Sequence, residues 1–141
     1  MTEVARTLMV CSCEDTMPLD GAALQRGCKG AGISQHRHLC RSQIERFQDM
    51  LAKSGAITAA CTQEAPLFEE VAADLDYAGD LVFANTREAA GWSREAKSAG
   101  PKMAALLAAA SEPMPPAGFT TLTSKGVALI YGRDDGAIAL A

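Results

Sequence analysis

The 141-residue chain is poor in aromatic residues, which make up 5% of it, and basic residues are not in excess. Thirteen Lys and Arg stand against 17 Asp and Glu, for a formal net charge of -4. A nucleic-acid surface needs clustered positive charge, so we expect no nucleic-acid partner. No apolar run approaches the roughly 20 residues of a membrane-spanning helix, so we also expect no membrane insertion.

The sequence also lacks several motifs that identify enzyme classes or protein targeting. The sequence contains no Gly-x-Ser-x-Gly nucleophile motif and no Walker-type phosphate loop. Its first ten residues lack the basic segment and apolar stretch of a secretion signal, from which we expect a cytoplasmic location. Disulfides rarely persist in the cytoplasm. Cysteines in such a protein are therefore expected to serve as thiolates for metal, cluster or redox chemistry.

All five cysteines lie within the first 61 residues, and none follows. Cys11 and Cys13 form a tight pair at the end of an apolar run, and the others are Cys28, Cys40 and Cys61. A turn after the run can direct both sulfurs of the pair toward one centre. This clustering favours ligand or redox chemistry. The alternative is that the thiols are buried and pack as small hydrophobic groups, which suits Cys28 and Cys61 individually.

Strand patterns alternate with helix patterns, which predicts an α/β, Rossmann-like three-layer domain with a mostly parallel sheet of about four strands. The expected strands are 6–11, 56–61, 80–84 and 126–132. The expected helices are 22–26, 40–54, 64–75 and 88–111, the last with an interruption at Gly100-Pro101. Loops at the carboxyl ends of parallel strands share one crevice. Cys11, Cys13 and Cys61 are expected at that edge.

The last 30 residues carry a different pattern. The segment 112–125 begins with a proline-rich stretch and is predicted to be a linker. It is followed by the predicted strand 126–132 and by a helix start near Asp134. We therefore expect residues 1–111 to form one domain and residues 126–141 to begin a following strand-helix unit, in a chain that is a fragment of a longer protein.

Four short motifs occur in a recognisable order over about residues 8–105. They are Val10-Cys-Ser-Cys13, Leu39-Cys40, Ala59-Ala-Cys-Thr62 with Glu64 and Pro66-Leu-Phe68 after it, and Ala84-Asn-Thr-Arg-Glu88 before Trp92. With these motifs the sequence resembles the N-terminal domain of the flavin and iron–sulfur subunit of heterodisulfide reductase, and related bacterial 4Fe–4S ferredoxin-like proteins. The resemblance implies an iron–sulfur electron-transfer protein, with Cys11, Cys13, Cys40 and Cys61 holding a [4Fe–4S] cluster. Cys28 has no counterpart.

The resemblance also implies a redox partner, either a separate protein or a downstream ferredoxin domain of the same polypeptide. In that family a flavin-binding Gly-x-Gly-x-x-Gly turn follows the domain, whereas this sequence has Gly132-Arg-Asp-Asp-Gly-Ala137. Asp134 replaces the glycine that must approach a pyrophosphate, and its carboxylate would repel that group. We therefore expect no FAD in this part of the protein, and no enzymatic activity from this part alone.

Cysteine spacing leaves three alternatives open at this point. The sequence has neither the paired knuckles of structural zinc nor the ferredoxin run Cys-x2-Cys-x2-Cys. A cluster, a zinc ion or no metal all remain compatible with it, and without metal the pair Cys11 and Cys13 could act in thiol redox chemistry. The competing function is a cofactor-free, Rossmann-like interaction domain with vestigial cysteines.

Five further residues are secondary candidates. His36 and His38, two residues apart, would share a strand face and could tune or ligate a metal, although such pairs are more often solvated. Asn85 and Arg87 follow the third predicted strand. They could hydrogen-bond to cluster sulfur, or instead cap the helix at Glu88 and pair with an acidic neighbour. Trp92, the single tryptophan, is expected to pack in the core rather than contact a partner.

Overall fold

A parallel β-sheet organises the computed structural model, which describes residues 5–115 and 117–140. Within these residues the strands are β1 (Thr7–Cys11), β2 (Gly32–His36), β3 (Ala56–Ala59) and β4 (Asp80–Phe83). The helices are α1 (Gly21–Gly27), α2 (Ile44–Leu51), α3 (Ala65–Asp74), α4 (Gly100–Ser111) and α5 (Asp135–Ala139). A π-helical turn (Arg87–Gly91) and a 3₁₀ turn (Ala96–Ser98) lie between β4 and α4.

The strand order is β2-β1-β3-β4, and every pairing is parallel. Cys11 at the end of β1 is in register with His36 at the end of β2, and Ala59 of β3 is in register with Phe83 of β4. The carboxyl ends of all four strands therefore meet at one edge of the sheet. The predicted α/β, Rossmann-like class with a four-stranded sheet is confirmed.

The side chains of β1 point alternately to the two faces of the sheet. A separate hydrophobic core lies on each face. Leu8 and Val10 join the core that includes Leu24 of α1 and Leu107 of α4. Met9 and Cys11 belong to the opposite core, which is built on α2 and α3. In that second core, three aromatic rings pack in a row.

The ring row consists of Phe47, Phe68 and Phe83. The Phe47 and Phe68 rings are 4.7 Å apart between centroids, and the Phe68 and Phe83 rings 6.3 Å. Tilted and offset rings at these separations are favourable aromatic arrangements. The row fixes α2 and α3 against the sheet directly behind its carboxyl edge.

Two helix starts follow from single residues. The Asp20 carboxylate accepts a hydrogen bond from the Ala23 N–H at 2.9 Å and so caps α1. Pro101 stands in the first turn of α4, where its missing N–H would be unpaired anyway. The predicted helix 88–111 is therefore wrong in its first half: Pro101 marks the start of α4 rather than a break, and residues 87–98 form the two short turns.

The fourth strand is not the predicted one. Residues 126–132 form no strand, and the Val127 and Leu129 side chains are 86% and 92% exposed. A strand is stable only when its backbone groups pair with a neighbouring strand. Residues 126–132 have no such neighbour among the described residues, because β2 takes the fourth place in the sheet. The sequence pattern does not indicate β2 because, at the half-exposed edge of the sheet, this strand contains a single strongly apolar residue, Ile33.

The predicted helix 40–54 is shorter in the structure, starting at Ile44. The Gln43 side-chain oxygen accepts hydrogen bonds from the N–H groups of Arg37 and His38, both at 2.8 Å. These bonds hold residues 37–43 as a loop, so Cys40 lies in that loop rather than in the helix. None of the helices in the described part of the chain has the length and apolar character needed to cross a membrane.

Candidate functional site: a four-cysteine cavity

The loop after β1 has an unusual backbone. Cys13, Glu14 and Asp15 adopt positive φ angles of 52°, 58° and 62° in succession. Each non-glycine residue in this region costs roughly 1–2 kcal/mol, so neighbouring contacts must hold the turn. The Ser12 hydroxyl donates to the Asp15 carboxylate at 2.9 Å and accepts from the Asp15 N–H at 3.1 Å. Cys13, the first residue of this left-handed turn, lines the same cavity as Cys11.

All four predicted ligands line this cavity, which has a volume of about 200 Å³ and lies at the carboxyl edge of the sheet. Cys11 and Cys13 come from the β1 loop, Cys40 from the β2 loop and Cys61 from the β3 loop. The structure thus places the four thiols around one cavity, and for Cys11, Cys13 and Cys61 the parallel topology predicts this position. The other lining residues are Glu14, Met17, His38, Arg41, Ala60, Thr62, Glu64, Asn85, Thr86, Arg87 and Glu88.

Cys11 is the most buried of the four, with 9% of its surface exposed. Its sulfur accepts hydrogen bonds from the N–H groups of Cys13 and Leu39, both at 3.4 Å. Two backbone donors directed at one sulfur stabilise negative charge on it. Cys13, Cys40 and Cys61 are partly exposed at the cavity wall.

The thiols are close enough to affect one another's ionisation. Burial raises the pKa of Cys40, and Cys61 and Glu64 raise it further. Burial likewise raises the pKa of Cys61, while the Glu64 N–H and Arg87 oppose that rise. Burial, and the neighbouring charges after it, therefore favour the neutral forms of Cys40 and Cys61 until a cation compensates their charge.

Arg87 supplies one such cation. Its Nη1 donates to the Cys13 sulfur at 3.5 Å, and its Nε donates to the Glu88 carboxylate at 2.7 Å. The Cys13 sulfur first, and Glu88 second, raise the pKa of Arg87 above its ordinary value. Arg87 thus pairs with an acidic neighbour, as one of its two predicted roles requires. The sulfur that it contacts is that of the Cys13 side chain, and the predicted hydrogen bond to cluster sulfur stays a prediction.

Trp92 does not pack in the core, and that prediction was wrong. Its side chain is 53% exposed, its ring lies 4.5 Å from the Arg87 guanidinium carbon, and its Nε1 donates to Thr16 Oγ1 at 3.0 Å. The π-helical turn places it there, because the Trp92 N–H donates to the Arg87 carbonyl at 2.8 Å and so brings residue 92 beside residue 87.

Asn85 caps the turn that follows β4. Its Oδ1 accepts a hydrogen bond from the Glu88 N–H at 3.1 Å, as the capping alternative predicts.

The side chains of His36 and His38 lie at two different sites. His38 lines the cavity, with its Nδ1 3.4 Å from the Glu14 carboxylate. His36 Nε2 lies 2.8 Å from Ser34 Oγ, and its side chain faces a different cleft. Burial, and then Arg46, lower the pKa of His36. The predicted shared face is lost because β2 ends at His36 and the strand geometry does not continue to His38.

Cys28 lies away from the other thiols. It is buried in the core of α1 and α4, and its Sγ donates to the Ala104 carbonyl at 3.5 Å. Burial raises the pKa of its thiol. Cys28 therefore matches the description of a packed, neutral thiol, the role that suits it in the sequence.

The lining residues that were not predicted as part of the site include Glu14, Met17, Glu64 and Thr86. Each lies within six residues of a strand's carboxyl end, which is the signal that could have identified them. Arg41 pairs with Glu64 at 3.2 Å and links the β2 loop to the β3 loop. Together with the His38 and Glu14 contact, this pair joins three of the four loops around the cavity.

The donor set can be compared with what different metals require. A zinc site needs four donors within about 2.0–2.3 Å of one point, and in the described residues no group of three or more His, Cys, Asp or Glu is placed to hold a metal ion. In a [4Fe–4S] cluster four thiolates bind four irons, so the sulfurs stand apart around a bulky core. Four thiols around one cavity of about 200 Å³ supply the number and type of ligands that the second pattern uses. The cavity is smaller than the roughly 300–1,000 Å³ of sites for larger organic ligands.

Comparison of the chain with models of protein families, with curated proteins and with solved structures found no match. The similarity to heterodisulfide reductase therefore depends on the four sequence motifs and stays a prediction.

Proposed function

We propose that this chain is a ferredoxin-like electron-transfer module that holds a [4Fe–4S] cluster through Cys11, Cys13, Cys40 and Cys61. One observation carries the proposal: thiols from three strand-end loops line a single cavity. The parallel pairing of β1 with β3 brings Cys11 and Cys61 to one edge of the sheet, and Cys13 and Cys40 line the same cavity there. Four thiolates are the donor set that such a cluster uses.

A cluster bound there would supply one-electron chemistry, and the chain's own residues would control it. The N–H groups of Cys13 and Leu39, directed at the Cys11 sulfur, would orient that ligand and stabilise its charge. Burial first, and the neighbouring thiols after it, raise the pKa of Cys40 and of Cys61, and the positive charge of bound irons would compensate the two thiolates. The proposed partner is a redox protein or a downstream ferredoxin domain, and a cytoplasmic location suits cysteines kept as thiolates.

The proposal is tested by anaerobic reconstitution with iron and sulfide, followed by iron and sulfide analysis and visible absorption. We expect about four irons per chain and a broad thiolate-to-iron absorption. Cys61→Ser should lose most of both because Cys61 lines the cavity. Cys28→Ser is the matched control, since Cys28 lies in the opposite core, and it should retain both. Equal losses in the two variants would contradict the assignment of ligands.

The alternative function is a cofactor-free interaction domain. The observation in its favour is that burial raises the pKa of both Cys40 and Cys61, so the neutral thiols need no metal to compensate a charge. Thermal stability separates the two functions, because a ligand that binds only the folded state stabilises it. The cluster function predicts a higher Tm after reconstitution, whereas an interaction domain would bind no iron and show an unchanged Tm.

A further inference from the structure

The Arg87 side chain is held in place from three sides. Only 17% of it is exposed. Its guanidinium donates to the Cys13 sulfur, pairs with the Glu88 carboxylate and lies against the Trp92 ring. Cation–π contacts and charge-assisted hydrogen bonds both have directional preferences, so the three contacts together define the position of the guanidinium.

The surrounding turn explains why these contacts coexist. Trp92 is anchored to the β1 loop through its Nε1 bond to Thr16, three residues after Cys13. Thr16 in turn donates to the Cys13 carbonyl at 2.8 Å. Arg87 and Trp92 thus tie the β4 loop to the loop that carries the cysteine pair, with the guanidinium directed at a sulfur.

We propose that Arg87 is a positioning residue for Cys13 and raises the reduction potential of the bound cluster, and that Trp92 keeps its guanidinium against the sulfur. This inference rests on the proposed function. A bound cluster that accepted one electron from the proposed redox partner would gain one negative charge, with no covalent bond made or broken. A fixed cation that hydrogen-bonds to a ligand sulfur stabilises the reduced form more than the oxidised form. Arginine suits this position better than lysine because its planar fork can donate and stack at once.

The test uses the reconstituted full chain, with iron content and midpoint potential measured for each variant. Arg87→Gln should retain iron and have a lower potential, and Arg87→Lys should shift less because it keeps the charge. Trp92→Leu should shift in the same direction as Arg87→Gln, while Trp92→Phe keeps an aromatic face and should stay near the wild type. Arg94→Gln is the matched control. It removes the same charge from a separate cleft and should leave the potential unchanged.

Each outcome has a defined meaning. Wild-type protein without iron overturns the proposed function and this inference together. Iron-loaded Arg87→Gln with the wild-type potential overturns this inference alone, and so does an equal shift in Arg94→Gln. If Arg87→Gln loses its iron, Arg87→Lys decides: a lowered potential supports the inference, and an unchanged potential overturns it.

Discussion

Helix α1 packs against α4 through a contact that should not accept one additional methyl group. A Cβ built on Gly27 would lie 2.5 Å from the Ala104 Cβ, and the next atom, the Ala104 Cα, would be 3.8 Å away. Both partners are short and rigid, so the clash cannot be relieved by a rotamer change. Overpacking of this kind typically costs about 1–3 kcal/mol. Gly27 is the last residue of α1, so the gain in helix propensity from alanine offsets little of that cost.

Removing the opposing methyl should remove the clash, so the two substitutions should not be additive. Ala104→Gly alone loses roughly 1 kcal/mol of helix propensity and about 0.8 kcal/mol of methyl burial. In the double variant Gly27→Ala, Ala104→Gly the clash is absent, so its free energy of unfolding should resemble that of Ala104→Gly rather than the sum of both losses. Urea unfolding followed by circular dichroism measures all four proteins. A Gly27→Ala variant as stable as the wild type, or additive losses in the double variant, would refute the packing argument.

Three further predictions concern the second core, the isolated thiol and the C-terminal segment. Phe68→Ala should lower the free energy of unfolding by about 3–5 kcal/mol, measured in urea, because Phe68 is 1% exposed and packs against the Phe47 ring. Native-state alkylation mapped by mass spectrometry should modify Cys28 more slowly than Cys13, because Cys28 is buried and its pKa is raised. A chain ending after Glu112 should keep its Tm in a thermal scan, since the two cores include none of the described residues 117–140.

Each of these has a contradicting result. A Phe68→Ala loss below about 1 kcal/mol, the level of ordinary surface changes, would mean that the ring row does not support α2 and α3. Alkylation of Cys28 as fast as Cys13 would show that α1 and α4 open readily. A lower Tm in the shortened chain would show that the last segment stabilises the domain.

The strands that could be predicted from sequence are those buried on both faces or bounded by turn residues. β1, β3 and β4 are short apolar runs, and periodicity locates them within one or two residues. β2 was not predicted because an edge strand with exposed positions carries little hydrophobic pattern. The opposite error occurred at 126–132. These residues have a high propensity for strand, but they find no strand to pair with in the described chain, so tertiary context decides their conformation.

Parts of the site were predictable for a topological reason. Three of the cysteines follow predicted parallel strands, and parallel strands end at a common edge, so Cys11, Cys13 and Cys61 had to lie near each other. The position of Cys40 came from the family resemblance. The left-handed turn at 13–15 could not be foreseen, because none of its residues is glycine. Trp92 was assigned to the core on residue type, and its place beside Arg87 depends on a π-helical turn that has no sequence signature.

Iron and sulfide stoichiometry of the anaerobically reconstituted chain tests the central claim most directly. Our account predicts about four irons and four sulfides per chain, with both lost in Cys61→Ser and retained in Cys28→Ser. A reconstituted chain without iron, in which all five cysteines titrate as free thiols, would contradict it and favour the cofactor-free interaction domain.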